Sequence, residues 1–419
     1  MVVVRLGPSG VSVAAQPVPT ARFHEKREAI LAAAASLFNE HGVRGATLAG
    51  IAASVGLATN SVTYYYRKKE DLATACFLRA IAAYDDIARA ASGAPRVAAR
   101  IADFLARHAA LLADIEQGRE PAIMTFHDIR ALPSPQADDV YAAYTQMFRR
   151  VRALLEGDET RDLARIDLNA RAHVLLSVAN WLRGWLIGYE ADAYGATVAR
   201  VADIVVRGIG GHGARWQSDV GADWQLHVAE GTSESFLRAA TALVNEQGYR
   251  GASVDKISAR LNVTKGSFYH HHDHKDDLIS ACFERSFAVM REAFGLAERG
   301  AGSGWTRASA AACALVRFQV SDGGPLLRAS AVSALPDRAH RDHVRLTMHR
   351  LTQRMNAIVV DGLADGSIRA LDPAIAAETL IAAINAAAEL QRWVPGAAAG
   401  NVAAHYVRPA FEGLLCSAS

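Results

Sequence analysis

The sequence lacks most features that mark secreted scaffolds, membrane proteins and enzymes. Its four cysteines, Cys76, Cys282, Cys313 and Cys416, form no C-x-x-C pair and have no zinc-like spacing, which argues against a disulfide framework and fits a reduced cytoplasm. No apolar run approaches the ~18 residues of a membrane span, so no membrane partner is expected. The opening MVVVRLGPSGVSVAAQPVPTAR lacks the charged start, long apolar stretch and small-residue cleavage site of a secretory leader and reads as a disordered tail over 1–22. Neither charge sign dominates, with 45 Lys and Arg against 43 Asp and Glu. Nucleic-acid contact would therefore have to come from local basic patches. No G-x-S-x-G, phosphate loop, H-E-x-x-H or spaced carboxylate pair stands out, so neither an enzyme nor a cofactor is expected.

Strand-favouring runs are also scarce, while alanine and helically spaced apolar residues abound, which gives an all-α class. At 419 residues, 51% of them hydrophobic, the chain has enough material for two cores.

The chain repeats itself. Glu28–Phe77 and Glu234–Phe283 register without a gap, so that Leu37 meets Leu243, Asn39-Glu40 meets Asn245-Glu246, Gly42 meets Gly248, Ile51 meets Ile257 and Cys76-Phe77 meets Cys282-Phe283. A weaker echo pairs Ile166–Trp181 with Leu371–Ala386, in which Asp167 and Asn180 are spaced as Asp372 and Asn385 are. Both halves therefore duplicate a whole domain. Between them 208–231 is Gly-rich and aperiodic, and reads as a linker.

Each copy opens with an amphipathic helix carrying Ile30, Ala34, Leu37 and Phe38, or Phe236, Ala240, Leu243 and Val244, on one face. Gly42 or Gly248 follows that face. A short second helix is predicted to start at Thr47 or Ser253, both good N-caps. It stops at Gly56 or Asn262, the residue types that best tolerate positive φ in a sharp turn. A third helix should run from about Thr59 to Tyr65 in the first copy, and from Thr264 to about His271 in the second. Two short helices joined by such a turn form a helix-turn-helix, whose second helix enters the DNA major groove.

The run GASVDKISARLNVTKGSFYHHHDHKDDLI closely resembles the DNA-binding region of the TetR family of bacterial regulators. The first copy follows the same frame, with Thr59-Asn60 in place of the usual Lys-Gly and Thr63 in place of the first Tyr. The resemblance implies two units, each a helix-turn-helix domain (23–79 and 232–284) followed by a helical effector and dimerisation bundle (80–207 and 285–419). It also implies double-stranded operator DNA as partner. The implied DNA contacts are Thr264, Lys265, Gly266, Ser267, Tyr269, His270 and Lys275 with Ser253 in the second unit. In the first they are Thr59, Asn60, Ser61, Thr63, Tyr64 and Lys69 with Arg44 and Thr47. Asn60 could pair bidentately with adenine where Gly266 only makes room.

The histidine run His270-His271-His272 suggests a metal at first sight. These residues occupy the positions of Tyr64-Tyr65-Tyr66, and adjacent helical side chains diverge by about 100°. No metal is expected.

By the same resemblance the bundles would hold a small hydrophobic or aromatic effector. The candidate wall residues are Phe104, His108, Phe126, Met147, Trp181 and Trp185 in the first bundle, with Met124 and Tyr144 nearby, and Phe318, Met348, Met355 and Trp393 in the second. Residues at such spacing also serve as plain core. The penultimate helix, capped by Asp372-Pro373, carries Ala376, Ala377, Ala382, Ala383, Ala386 and Ala387, small enough for a partner helix to approach. That partner could be the other half, in an intramolecular pseudo-dimer, or a second chain in a homodimer. A ligand-responsive repressor with two unlike recognition helices follows. The alternative is a ligand or protein-interaction module whose first helix-turn-helix has become a scaffold.

Overall fold

The computed structural model describes residues 21–226, 232–263, 275–335 and 338–417. Among these there is no β-strand, only an isolated bridge between Gly210 and Ile368. The first half comprises α1 (Ala21–Gly45), α2 (Leu48–Ser54), α3 (Thr59–Tyr65), α4 (Lys69–Ala91), α5 (Val97–Glu116), α6 (Gln136–Ala153), α7 (Arg165–Trp185) and α8 (Tyr194–Arg207). The second comprises α9 (Thr232–Gly251), α10 (Val254–Leu261), α11 (Lys275–Arg299), α12 (Gly304–Val320), α13 (Arg338–Ala364) and α14 (Pro373–Ala386), then the short segments Leu390–Trp393 and Arg408–Glu412. A 3₁₀ turn lies before α6 (Phe126–Ala131) and another before α13 (Ala329–Ala334).

Local chemistry sets the boundaries the residue pattern predicts. The Thr47 hydroxyl accepts from the Gly50 N–H at 3.0 Å and the Ser253 hydroxyl from the Lys256 N–H at 3.2 Å, each satisfying an orphan donor of a helix start. Gly56 turns with φ 65° and Asn262 with φ 54°, so the tight turn survives replacement of glycine by the residue that mimics it best. The Asp372 carboxylate caps α14 through the N–H groups of Ala374 and Ile375, with Pro373 in the first turn. Cys76 and Cys282 are buried, and burial pushes both thiols up to about 12. They fill core space as small hydrophobes.

Two segments differ from the sequence reading. The first helix spans Ala21–Gly45, so Ala21 and Arg22, read as the end of the tail, belong to it. The described part of the Gly-rich segment, 208–226, is pinned to the second half: Arg317 donates to the Val220 carbonyl at 2.7 Å, and the Trp305 indole N–H to the Arg215 carbonyl at 3.1 Å. The helices α4 and α11 each run without a break from the helix-turn-helix into the bundle.

The halves pack against each other through α7, α8 and α14. The small residues Ala376, Ala377, Ala382 and Ala383 are buried on α14, which packs on α7 and α8 of the first half as well as on α13. Trp181 donates to Glu378 at 2.8 Å, His173 bonds the Ala386 carbonyl at 2.9 Å, and His405 bonds Asp167 at 2.7 Å. Arg171, almost wholly buried, donates to the carbonyls of Leu414 and Cys416 at 3.0 Å each. The ends of α8 and Arg408–Glu412 cross at two glycines of positive φ, Gly208 and Gly413. A Cβ on either would strike the backbone of the opposing segment. The helix Pro373–Trp393 is apolar and long enough to cross a membrane by composition alone, but most of it is buried inside the protein.

Candidate nucleic-acid interface and inter-half cavity

In the first helix-turn-helix, Val62 is fully buried beneath α3 while Thr59, Asn60 and Tyr64 face solvent. Tyr64 is 76% exposed and Tyr66 only 8%, its hydroxyl accepting from Arg27 Nε at 3.2 Å. The adjacent rings of Tyr64 and Tyr65 meet edge to face with centroids 5.4 Å apart, and His270, His271 and His272, at the aligned positions, lie outside the described residues. Ser61 is half-buried, and the Thr63 hydroxyl donates to the Asn60 carbonyl at 3.0 Å.

The Lys69 ammonium, a DNA contact by the sequence reading, donates to the carbonyls of Arg44 and Ala46 at 2.9 Å each and so ties the start of α4 to the end of α1. The hydroxyls of Thr47 and Ser253 are likewise engaged as caps. Arg44, Arg67 and Lys68 are exposed around α3.

The sequence reading missed the start of α1. The Phe23 ring lies 4.7 Å from Tyr65 and 6.3 Å from Tyr64, edging the α1 start against the end of α3. That contact brings the exposed Arg22 and Lys26 beside the reading surface. The only signal was a lone aromatic just past the presumed tail.

In the second helix-turn-helix, Thr264, Lys265, Gly266, Ser267, Tyr269 and His270 lie outside the described residues. Lys275 opens α11. Arg260 is paired with Glu246 at 3.0 Å, and Lys256 donates to the Gln247 side chain at 2.6 Å.

Each helix-turn-helix is clasped to its bundle in the same way. Asn39 of α1 donates to the Ile123 carbonyl at 2.8 Å and accepts from the Thr125 N–H at 2.9 Å. Asn245 of α9 donates to the Leu326 carbonyl at 2.8 Å and accepts from the Arg328 N–H at 3.2 Å. Both clasped loops wall one cavity of about 160 Å³ between the halves. It opens toward a wider groove of about 990 Å³ between α1, the end of α7 and α13, with which it shares Met124, Thr125, Asn180, Trp181 and Arg183.

Of the sequence-predicted wall residues, Phe126, Trp181 and Trp393 line the inner cavity, and Trp185 and Met348 the groove. Phe104, Met147 and Met355 are fully buried core and line neither. Phe318 is half-buried beside Arg285. His108 stands behind the cavity wall, its Nε2 3.2 Å from the hydroxyl of Tyr84, which does line it. Burial pushes the His108 imidazole down to about 4, so it is neutral at pH 7. Sequence reasoning missed the polar groups of the cavity, Arg130, Arg328 and Glu389, because they come from three segments far apart in the chain.

Paired helix-turn-helix heads, each continuous with a helical bundle, define a DNA-binding transcriptional regulator. The family described as "Bacterial regulatory proteins, tetR family" matches the chain twice, over residues 30–76 and 236–282, so the chain carries two TetR-family DNA-binding segments in tandem. It is 27% identical over 141 residues to the Transposon Tn10 TetC protein of Escherichia coli, covering 34% of this chain and 70% of that protein. A shorter match, 38% over 54 residues, is to the Biofilm operon icaADBC HTH-type negative transcriptional regulator IcaR of Staphylococcus epidermidis, covering 13% of this chain and 29% of that one. Among solved structures, a TetR-family transcriptional regulator from Bordetella parapertussis 12822 aligns at 18% identity and a TM-score of 0.37, covering 43% of this chain and 93% of that one.

Proposed function

We propose that this chain is a ligand-responsive repressor whose two halves pair within one molecule, presenting two unlike recognition helices to an operator with dissimilar half-sites. The observation that carries the proposal is the α7–α14 contact, in which one chain supplies both sides of the packing that a homodimer would need two chains to make. The negative-regulator description of the Staphylococcus relative favours repression. The clasps favour ligand response: Asn39 and Asn245 hold the first helix of each head to the loops that wall a single cavity. An effector that displaces either loop would change the setting of a head and lower operator affinity through its preference for one state.

The test is a base-resolution footprint of the full chain on DNA selected from its own genome, with the mass of the complex measured alongside. One chain on one site with unlike halves is the expected result. Two chains on a palindrome would overturn the intramolecular pairing, and no selected site would overturn the regulator reading. Alanine at Thr59 and Asn60 separates a reading first head from a scaffold, because unchanged affinity means scaffold.

A further inference from the structure

We propose that the cavity between the halves takes a single-ring aromatic carboxylate, its anion held by Arg130 and Arg328; this rests on the ligand-responsive reading above.

Size comes first. A buried cavity of ~150 Å³ holds a benzene ring, and this one is about 160 Å³. Its flat faces are aromatic: Phe126 and Tyr144 lie 5.1 Å apart, and Tyr144 and Trp393 5.0 Å apart, in a continuous chain of rings. A planar ligand gains both burial and edge or offset stacking there.

Charge decides the class. Arg130, from the first half, and Arg328, from the second, both donate to the same oxygen of Glu389, at 2.6 and 2.7 Å. Burial alone would raise the Glu389 carboxyl, but the two guanidiniums overcome that and hold it well below the usual range. It therefore stays ionised. Two cations thus share one anion, with both guanidiniums almost entirely out of solvent. Among the described residues, the Nε donors of Arg130 and Arg328 have no hydrogen-bond partner. A buried positive surplus with orphaned donors is costly. An incoming carboxylate offsets the surplus, since a planar guanidinium and a carboxylate match in geometry. A neutral ring would leave the surplus as it stands.

The site is also placed to report. The Arg328 side chain faces the ligand while its backbone N–H is held by Asn245, so a shift of this one residue reaches the second head directly.

The experiment is calorimetric titration of the full chain with benzoate and with its uncharged isostere benzamide, followed by footprinting in the presence of benzoate. Benzoate should bind at least tenfold tighter than benzamide. Arg328→Met and Arg130→Met should each weaken benzoate at least tenfold and leave benzamide unchanged. Glu389→Gln removes the competing carboxylate and should tighten benzoate several-fold, a gain that no folding defect mimics. Equal binding of the two probes, or no benzoate binding, overturns the anion assignment and leaves the footprint result standing. Tight benzoate binding with no release of operator supports the site and overturns the ligand-responsive reading instead.

Discussion

Arg79 in the first half and Arg285 in the second sit at matching positions and do the same work. Arg79 pairs with Glu28 at 3.5 Å and donates to the Ala122 carbonyl; Arg285 pairs with Glu234 at 2.7 Å and donates to the Pro325 carbonyl at 2.9 Å. Together with the Asn39 and Asn245 clasps, this makes a duplicated joint between head and bundle. The reading surfaces have not been kept alike. The first head surrounds α3 with exposed Arg22, Lys26, Arg44, Arg67 and Lys68, whereas the sequence of the second head carries Asp273 and His274 at the positions of Arg67 and Lys68. After the duplication the joint was retained and the reading surface diverged, as expected if both heads still answer to one signal but meet different DNA.

The interface breaks the equivalence most sharply. Arg171 is buried in α7, while its counterpart in the weaker repeat, Ala376, is one of the small residues of α14. Arg171→Ala should therefore cost far more than Ala376→Gly: about 3–5 kcal/mol, because the Asp167 carboxylate and two carbonyls lose their buried partner. Chemical denaturation measures it. A loss below about 1 kcal/mol would mean that the halves are not held together at this point. The clasps come next. Asn245→Ala strands a buried carbonyl and N–H and should cost about 1–3 kcal/mol. Asn39→Ala should cost less, since Asn39 is only half-buried. Equal losses would mean the two joints are equivalent after all.

Acid separates the halves a third way. The His108 imidazole titrates near 4 in the folded state against about 6.5 unfolded. The unfolded chain therefore binds the proton first, and stability falls as pH drops from about 6.5 towards 4. At pH 5 this amounts to about 2 kcal/mol relative to pH 7.5. The corresponding helix of the second half, α12, has no histidine. Urea midpoints of the chain and of His108→Gln at both pH values give the answer; a variant as acid-sensitive as the parent would place the effect elsewhere.

Much of the fold was legible because it is set by local chemistry. The capping hydroxyls of Thr47 and Ser253, the positive φ of Gly56 and Asn262 and the span of α3 all follow from neighbours in the chain. The repeat register even aligned Asn39 with Asn245, though not their purpose, since their partners lie more than 80 residues away. The cavity was not legible for the same reason. Sequence alone treats Phe104 and Phe126 alike, and only tertiary packing separates them: Phe104 is buried on α5 among helices of its own half, while Phe126 lines the cavity to which both halves contribute. The structural bonds of Lys69 were not legible either, because a lysine beside a recognition helix looks the same in sequence whether or not it also holds the carbonyls of Arg44 and Ala46.

The smallest effect carries the most information about the divergence of the heads. Asn60 is exposed on the first turn of α3, where recognition-helix residues reach base edges, and an asparagine amide pairs bidentately with adenine. Asn60→Ala should weaken operator binding at the low end of the ~1–3 kcal/mol that such a pair supplies. The loss should fall on one half-site only, relaxing the preference at a single base pair. Tyr64→Phe, which removes only a hydroxyl at the far end of the helix, should weaken binding uniformly across sequences if that hydroxyl meets phosphate. Affinities measured against a library of operator variants tell the two patterns apart. If Asn60→Ala weakens every sequence alike, the first head positions the protein without reading bases, and the specificity of the chain rests on the second.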